Sequence, residues 1–281
     1  LFFWYNQDMK ILILYPNLPM MITPATSVAI FTSIIKEMQC DVQMFETTLY
    51  TEDENQGMLY KSKLGGGRSY NVAQLGFLLK PTNVMLPDLV KKVKEYKPDL
   101  LLCSTVEDTF EDTNMMLKSV EEYNIPHIVG GVFPINAPEV CLSSANINVI
   151  CRYEGELVLR DVIKKFNEGK DWKKTPGLWY KNNGKIIKNP RQPLCDINGV
   201  IPNFSLYDSV RFNRPIGGKV RTTIQFETYR GCPYSCTFCN SPMTRTMDKN
   251  YLRRKKIDQV EKELDYYVKN FDPKFWFITD D

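Results

Sequence analysis

The chain has 281 residues, of which 43% are hydrophobic and 25% are charged, a composition typical of globular domains. A chain of this length forms one large or two medium domains with cores of their own, and we expect two. The 36 basic and 33 acidic residues give a net charge of +3. Because they are spread along the chain, there is no basic block of the kind that binds nucleic acid.

The apolar segments and the cysteines indicate the compartment. No apolar run reaches the roughly 18 residues that a helix needs to cross a bilayer, and the segment Leu1 to Tyr5 is too short for a signal-peptide core. Eight cysteines at irregular spacing, three of them clustered, fit a metal site in a reducing compartment better than a disulfide framework. We therefore predict a cytoplasmic protein without a membrane span.

Both ends of the chain are unusual. It begins with Leu1 and stops at Asp280-Asp281, directly after an apolar strand. We interpret the sequence as a fragment whose natural start is Met9, because Met9 and Lys10 immediately precede the first predicted strand.

From residue 9 to about 168, short apolar runs alternate with amphipathic helical windows, a pattern typical of a parallel sheet wrapped by helices. The predicted strands span residues 10–15, 42–46, 99–104, 126–129 and 148–151. The predicted helices lie near residues 26–38, 87–96, 110–123, 137–144 and 156–168. Each strand ends in a loop with Pro, Gly, Ser, Thr or Glu, as expected where ligands bind at the carboxyl edge of the sheet. The sequence therefore predicts an α/β fold with a doubly wound parallel-sheet domain over 9–168.

The segment 47–86 is longer than an ordinary connection and is expected to cover an edge of the sheet or a ligand. It contains Gly65, Gly66, Gly67 and Arg68, whose spacing is neither that of a P-loop nor that of a dinucleotide fingerprint. A triple glycine can cradle phosphate, but a flexible loop is the preferred interpretation.

A second domain follows a connecting segment. Residues 177–188 alternate apolar and polar around Asn183-Gly184, which predicts a hairpin. The Pro-rich segment 190–216 is expected to run over the surface, so we assign 169–219 to hairpin and linker. The second domain, 220–281, is predicted to contain a strand over 220–228, an amphipathic helix over 256–270 and a strand over 275–279.

Three cysteines in this second domain carry the most specific signal. Cys232, Cys236 and Cys239 have the spacing Cys-x-x-x-Cys-x-x-Cys, in a loop directly after the strand 220–228. Three thiolates from one tight loop can hold three irons of a 4Fe-4S cluster, and the fourth iron is left open to chelate a substrate. Gly231 and Pro233 shape the turn around the first ligand.

The alternative is a structural zinc site, which needs a fourth ligand to complete a tetrahedron. The candidates for this ligand are poor. The only histidine, His127, lies in the first domain, and Cys195 lies in the linker.

The cysteine spacing, with the aromatic Phe238 just before the last cysteine, resembles the motif of the radical S-adenosylmethionine (SAM) superfamily. The resemblance implies that residues from 220 onward are the first β/α units of a partial TIM-type barrel. It implies that SAM chelates the open iron, and that one electron from the cluster cleaves it to methionine and a 5'-deoxyadenosyl radical. It also implies that Phe238, Tyr229 and Arg254 lie around SAM or the cluster.

Two charged groups in this domain have two interpretations each. The basic residues Arg253 to Lys256 either form a solvated helix start or contact SAM and the cluster charge. Asp280 and Asp281 either touch SAM in the full barrel or are a solvated strand end.

The order of the domains resembles the radical SAM subfamily with an N-terminal cobalamin-binding domain, which includes cobalamin-dependent methylases and the oxidative cyclase of bacteriochlorophyll synthesis. The most family-like stretches are 130–134 (Gly-Gly-Val-Phe-Pro) and 152–156 (Arg-Tyr-Glu-Gly-Glu). The resemblance implies cobalamin as a cofactor. The residues expected near it are Ser104, Thr105, Gly130, Gly131, Glu154 and Gly155.

Structural alternatives exist for these residues too. Gly130 and Gly131 either admit a corrin or make a tight strand-to-helix turn, and Glu154 and Gly155 either bind the cofactor or begin a helix. The Asp-x-His-x-x-Gly motif that supplies a lower axial histidine is absent, so cobalamin is expected to bind without a histidine ligand. His127 is better interpreted as a packed or solvated residue.

The resemblance implies a radical SAM enzyme that performs a cobalamin-assisted methyl transfer to carbon, or an oxidative rearrangement or cyclisation. The expected partners are a small-molecule substrate and an electron donor such as flavodoxin or ferredoxin. One alternative is a radical SAM protein that does not use cobalamin, and another is a non-catalytic protein that binds zinc and a small ligand. The fragment by itself is not expected to turn over.

Overall fold

The computed structural model describes residues 9–51 and 75–280, which form two compact units. The first unit comprises residues 9–22, 34–51 and 78–193. The second comprises residues 23–33, 75–77 and 194–280. The glycine segment at 65–68, the N-terminal residues 1–8 and Asp281 lie outside the described residues.

The first unit is built on one mostly parallel sheet. Its strands are β1 (Lys10–Tyr15), β2 (Asp41–Glu46), β3 (Leu100–Ser104), β4 (His127–Gly130), β5 (Val149–Cys151), β6 (Leu178–Asn182) and β7 (Lys185–Lys188). They lie in the order β2-β1-β3-β4-β5-β6-β7. The first five strands are parallel, and the order 2-1-3-4-5 is that of flavodoxin-like doubly wound folds. The predicted doubly wound sheet is confirmed.

The apolar run in β1 explains why this strand lies inside the sheet. Residues 11–14 are all apolar and at most 1% exposed, as expected for a parallel strand that is covered on both faces. Leu12 and Leu14 join one core cluster with Leu101, Val129 and Ile150 from neighbouring strands.

The helices before residue 170 lie close to their predicted positions. They are α1 (Thr26–Glu37), α2 (Met85–Tyr96), α3 (Phe110–Ser119), α4 (Val132–Asn136), α5 (Pro138–Ser143) and α6 (Glu156–Asn167). The predicted helix at 137–144 is only α5, and the short helix α4 precedes it. Ala137 separates the two with φ −130° and ψ 57°, because a residue before proline is disfavoured in the helical region. Within the described ranges, no helix is both long enough and apolar enough to cross a membrane.

The predicted hairpin forms, but it belongs to the sheet and not to a linker. Asn183 and Gly184 have φ of 48° and 74°, the left-handed conformations that a two-residue turn between twisted strands requires. β6 pairs antiparallel with β5, and alternate residues Leu178 and Tyr180 are buried at 0% and 8% exposure. The hairpin therefore extends the first unit because one of its faces is apolar.

The second unit contains the start of a β/α repeat. Its elements are β8 (Asn213–Ile216), β9 (Lys219–Phe226), β10 (Tyr229–Arg230), α7 (Ser241–Met247), β11 (Arg253–Arg254), α8 (Ile257–Phe271) and β12 (Phe275–Ile278). β12 lies parallel to β9, and α8 connects them, as in the first β/α units of a barrel. The predicted partial barrel is therefore confirmed, with β8 added antiparallel to β9.

The Pro-rich segment does not run over the surface as predicted. Phe204 is 1% exposed, and its ring lies edge-on to Phe212 with centroids 5.9 Å apart. The ring of Tyr267 on α8 is also 5.9 Å from Phe204. An aromatic side chain in this segment thus supplies core to the second unit, because burying a large ring removes much apolar surface from water.

Candidate functional site

The cysteine loop, residues 231–240, follows a short antiparallel ladder. β10 pairs with β11, so that Tyr229 lies opposite Arg254. Gly231 begins the loop with φ +101°, and a Cβ atom there would lie 2.7 Å from the carbonyl oxygen of Tyr251. A glycine is therefore required at this entrance, for its conformation and for the close approach of the two backbones.

The three thiols are accessible and spread along the loop. Cys232 is half-buried, whereas Cys236 and Cys239 are exposed. Cys239 Sγ accepts a hydrogen bond from the N–H of Ser241 at 3.5 Å, the type of contact that thiolate ligands of iron-sulfur clusters accept. Among the described residues, these sulfur atoms do not all lie within 4.8 Å of one another.

The cysteines of the first unit are poor ligand candidates. Burial raises the pKa of Cys40 to about 11, with a further contribution from Asp99. Burial likewise raises the pKa of Cys141 and of Cys151 to about 12, and it raises that of Cys103. These side chains stay protonated thiols, and metal ligation requires thiolates. Cys195 is buried, and its sulfur accepts a hydrogen bond from Arg230 at 3.4 Å.

His127 has a structural role. Its Nε2 accepts the backbone N–H of Asn148 at 3.0 Å, which joins the start of β4 to the start of β5. Burial lowers the pKa of His127 to about 4, so the ring is neutral at physiological pH. The prediction of a packed histidine agrees with this geometry.

A buried ion pair lies under the ladder that leads into the loop. Lys255 is 4% exposed, and its Nζ lies 2.9 Å from both carboxylate oxygens of Glu263 on α8. Glu227 lies 3.9 Å away, and the N–H of Lys255 donates to the carbonyl of Thr228 at 2.8 Å. Burial raises the pKa of Glu263, and Lys255 opposes that shift. The interpretation of Arg253 to Lys256 as a solvated helix start is therefore wrong for Lys255, and α8 begins only at Ile257.

Asp280 contacts the backbone that leads into the loop. Its Oδ1 accepts the N–H groups of Thr228 at 2.5 Å and Tyr229 at 3.0 Å. Burial works to raise the pKa of Asp280, but the hydrogen bonds from Thr228 and Tyr229 hold it below its ordinary value. Asp280 is thus an exposed carboxylate, as expected for the solvated strand end, but it also binds the backbone before the loop.

The three residues expected around SAM all lie at this loop. Phe238 is 91% exposed within it, and Tyr229 is 38% exposed on the ladder before it. Arg254 is exposed on the paired strand. The fold brings them to one end of the unit, and their side chains remain open to a ligand.

The first unit has its own candidate edge, where the sheet order changes direction between β1 and β3. Ser104 ends β3, and Thr105 follows it and donates its N–H to the carbonyl of Gly130 at 2.9 Å. Gly131 has φ +104°, and a Cβ atom there would lie 2.4 Å from the Thr105 carbonyl oxygen. Gly131 is therefore required because two loops approach each other closely. This agrees with the alternative of a tight strand-to-helix turn.

Two hydroxyl groups at this edge differ in availability. The Oγ1 of Thr105, which is 1% exposed, lies 3.2 Å from that of Thr109 and 2.9 Å from that of Thr113. Ser104 is half-buried, and its hydroxyl makes no hydrogen bond within the part of the chain that the structure describes. Ser104 is thus the hydroxyl that a ligand can reach, whereas Thr105 supports the edge from below.

The acidic stretch after β5 begins a helix. Glu154 and Gly155 are half-buried and directly precede α6, and the carbonyl of Gly155 accepts the N–H of Leu159 at 2.8 Å. Glu156, the first residue of α6, is 9% exposed. Glu154 and Gly155 therefore fit the alternative in which they begin a helix. Glu154 nevertheless lies near the carboxyl edge of the sheet, directly after β5.

Arg152 begins the family-like stretch 152–156, but the sequence alone assigns it no role. It is 8% exposed, and its guanidinium lies 5.3 Å from the ring centre of Tyr153 and 5.4 Å from that of Trp179. It donates to the carbonyl of Ile135 on α4. An arginine directly after an apolar strand is the sequence signal for such a residue. Its partner Trp179 lies on the hairpin, so the contact between them is visible only in the fold.

Comparisons with known proteins agree with this picture. No family model matches the chain. The chain is 28% identical over 159 residues to an uncharacterised methyltransferase of Pyrococcus horikoshii, covering 56% of this chain and 34% of that protein. It is 25% identical over 210 residues to the anaerobic magnesium-protoporphyrin IX monomethyl ester cyclase of Rubrivivax gelatinosus, covering 71% and 37%. It is 24% identical over 220 residues to the cobalamin-dependent radical SAM methyltransferase TokK of Streptomyces tokunonensis, covering 75% and 30%.

The fold has a counterpart among solved structures. The cobalamin-dependent S-adenosylmethionine radical enzyme OxsB, solved with aqua-cobalamin and S-adenosylmethionine bound, matches 98% of this chain with a TM-score of 0.65 at 20% identity. The match covers 34% of OxsB, and the chain spans about a third of the length of the relatives above. The chain therefore has its relatives among cobalamin-dependent radical SAM methyltransferases and cyclases, which confirms the resemblance predicted from its sequence.

Proposed function

We propose that the chain is the N-terminal part of a radical SAM enzyme, in which Cys232, Cys236 and Cys239 hold a 4Fe-4S cluster and the first unit binds cobalamin. When bound, the cluster supplies the electron that splits SAM into methionine and a 5'-deoxyadenosyl radical, while cobalamin supplies a carrier for a methyl group. The observation that carries the proposal is the cysteine loop. It carries three cysteines that form no disulfide, directly after β10, and the remaining cysteines are buried.

The residues around the loop have distinct tasks in this proposal. The close approach of Gly231 to Tyr251 fixes where the loop leaves the barrel. Tyr229 and Arg254 lie opposite each other on the ladder, where an arginine can bind a carboxylate of SAM and a tyrosine ring can cover it. Phe238 is exposed within the loop, and we propose that it packs on SAM and excludes water from the cluster.

The first unit supports cobalamin binding at its carboxyl edge. Ser104 offers an available hydroxyl there, and Gly130 leaves room because even a Cβ atom would meet only ordinary contacts, the nearest at 3.7 Å. Thr105 and Gly131 hold the two loops that form this edge, and Glu154 and Gly155 lie after β5 at the same edge. His127 is engaged with Asn148, so this chain offers no histidine as an axial ligand.

The names of the relatives suggest the reaction class. They include methyltransferases and an oxidative cyclase, so we propose methyl transfer to carbon or an oxidative rearrangement or cyclisation of a small molecule. An external donor such as flavodoxin or ferredoxin would supply the electron. We further propose that the protein works in the cytoplasm, where exposed thiols such as Cys236 stay reduced.

The test uses the complete protein, reconstituted anaerobically with iron and sulfide. We expect the reduced protein to give an electron paramagnetic resonance signal of a 4Fe-4S cluster that changes when SAM is added. The signal should vanish in Cys236→Ala and persist in Cys40→Ala, which removes a buried thiol elsewhere. A protein that retains zinc and takes up no sulfide would overturn the proposal.

Cobalamin binding has a separate test. We expect the protein to retain one corrin through gel filtration. The electron paramagnetic resonance spectrum of its cob(II)alamin form should show no coupling to a histidine nitrogen. Ser104→Ala should weaken the binding, whereas Ser143→Ala, on the outer face of α5, should not. Cluster and SAM binding without any corrin would instead support a radical SAM protein that does not use cobalamin.

A further inference from the structure

Arg245 on α7 reaches back to the first half of the cysteine loop. Its Nη1 donates to the carbonyl oxygen of Cys232 at 3.5 Å and to that of Pro233. Its Nη2 donates to the hydroxyl of Ser235 at 2.7 Å. One guanidinium therefore contacts two backbone carbonyls and one side-chain hydroxyl in the segment that joins Cys232 to Cys236.

The charge of Arg245 is not balanced by an acid. All the polar contacts that the structure gives this side chain are with the loop, and no carboxylate among the described residues pairs with it. The neighbouring basic residues differ in this respect. Arg230 lies 2.8 Å from Glu227, and Lys255 lies 2.9 Å from Glu263. A half-buried guanidinium without an acid beside it favours an anion at the same place.

We propose that Arg245 is a positioning residue of the cluster, which holds the loop between its first two cysteines and supplies the positive charge that balances the thiolates. The proposal rests on the cluster assigned under the proposed function. Three thiolates on a cluster of charge +2 leave a net negative charge, and this charge grows by one when the cluster accepts an electron. Arg245 therefore stabilises the reduced cluster more than the oxidised one.

The geometry requires arginine and not merely a positive charge. The guanidinium is a rigid fork with five N–H donors, so it can hold two carbonyls and a hydroxyl in one plane. A lysine at this position keeps the charge, but its single ammonium group cannot span the three acceptors. The two functions, charge and shape, can thus be separated by substitution.

The experiment compares Arg245→Gln and Arg245→Lys with Lys249→Gln in the complete protein. Lys249 is an exposed cation just beyond α7 without a polar contact to a described residue, so it controls for the loss of one positive charge. Iron and sulfide content, the electron paramagnetic resonance spectrum and the midpoint potential are measured after reconstitution. Amide hydrogen exchange of Cys239, whose N–H donates to the carbonyl of Cys236 at 3.2 Å, is measured in the metal-free protein.

We expect Arg245→Gln to lower the midpoint potential so that the ratio of reduced to oxidised cluster falls about tenfold at the wild-type midpoint, or about 59 mV for one electron. Arg245→Lys should keep the potential but lose the cluster severalfold faster, with a broadened spectrum. In both variants the amide of Cys239 should exchange at least severalfold faster than in Lys249→Gln. The proposal is overturned if both match Lys249→Gln in potential, retention and exchange.

The outcomes separate this proposal from the proposed function. A wild-type protein without a cluster would contradict the function, and the amide exchange of the metal-free variants would still decide whether Arg245 holds the loop. Circular dichroism monitors folding. If Arg245→Gln does not fold, Arg245→Lys decides the question, because unchanged cluster retention and amide exchange in that variant would overturn the proposal.

Discussion

The carboxylate of Asp280 accepts two hydrogen bonds from Thr228, one from its backbone N–H and one from its hydroxyl, each 2.5 Å long. Asp280 lies just beyond β12, and Thr228 lies between β9 and the ladder that leads into the cysteine loop. Because β9 and β12 are parallel neighbours, this contact ties the ends of two barrel strands to the start of the loop.

We predict that Asp280→Asn lowers the free energy of unfolding by about 1–2 kcal/mol. A neutral amide oxygen accepts these hydrogen bonds less strongly than a carboxylate does, and the amide nitrogen would face a donor group of Thr228 or Tyr229. Urea denaturation measures the change. Asp265→Asn, on the exposed face of α8, removes the same charge without these contacts and should change stability little. Equal effects of the two substitutions would contradict the role of Asp280.

Lys255 and Glu263 are expected to behave as a buried pair. Lys255→Met should destabilise the second unit by about 3–5 kcal/mol, because it leaves the buried carboxylate of Glu263 without a counter-ion, with only the hydrogen bond from Gln259 remaining. The double variant Lys255→Met, Glu263→Leu should recover most of this loss in a double-mutant cycle. As a control, Lys262→Met breaks an exposed pair with Asp258 and should cost about 0.5 kcal/mol or less. Additive effects of the two core substitutions would show that the pair does not interact.

Gly131 gives a prediction about backbone geometry. Gly131→Ala should destabilise the first unit by more than about 2 kcal/mol, because the new methyl group would lie 2.4 Å from the Thr105 carbonyl oxygen in addition to the strain of a positive φ. Gly169→Ala is the matched control, with φ +65° and nothing within 4 Å of the new Cβ. Thermal unfolding of both variants separates the clash from the strain. The same loss at both positions would exclude the clash as its cause.

His127 predicts a pH dependence. Its pKa is lowered by burial from the ordinary 6.5 to about 4, so between these values the unfolded chain binds a proton that the folded chain does not. Stability should therefore fall as the pH drops from 6.5 toward 4, by up to about 3 kcal/mol, and this part should be absent in His127→Gln. Because the chain has one histidine, its imidazole resonances can be followed directly by NMR. A folded-state pKa near 6.5 would refute the prediction.

The sequence predicted the main elements because their signals are local. The run at 11–14 is apolar and continuous, and β1 forms at the predicted residues 10–15. The cysteine spacing and Phe238 predicted a loop of the radical SAM type. The relatives of the chain agree with that resemblance, because they include a magnesium-protoporphyrin IX monomethyl ester cyclase and a cobalamin-dependent radical SAM methyltransferase. Helix boundaries were less accurate, since the break at Ala137 depends on the following proline and on the short helix that packs before it.

The sequence could not distinguish residues whose roles depend on distant partners. Arg254 and Lys255 are adjacent and both basic, yet Arg254 is exposed on the ladder and Lys255 is buried against Glu263. The sequence gives no sign of the contacts of Arg245, because nothing in the neighbouring residues indicates that α7 folds back onto the cysteine loop.

The amino-acid sequence by itself therefore determined the fold class, the order of the elements and the three candidate cysteine ligands, because periodicity and close spacing are properties of short segments. Tertiary structure alone decided which charges support the loop, Arg245, Lys255 and Asp280 among them. The physical reason is that an ion pair or a carbonyl contact needs two groups within about 3 Å, and only the packing of strands and helices brings residues distant in the chain that close together.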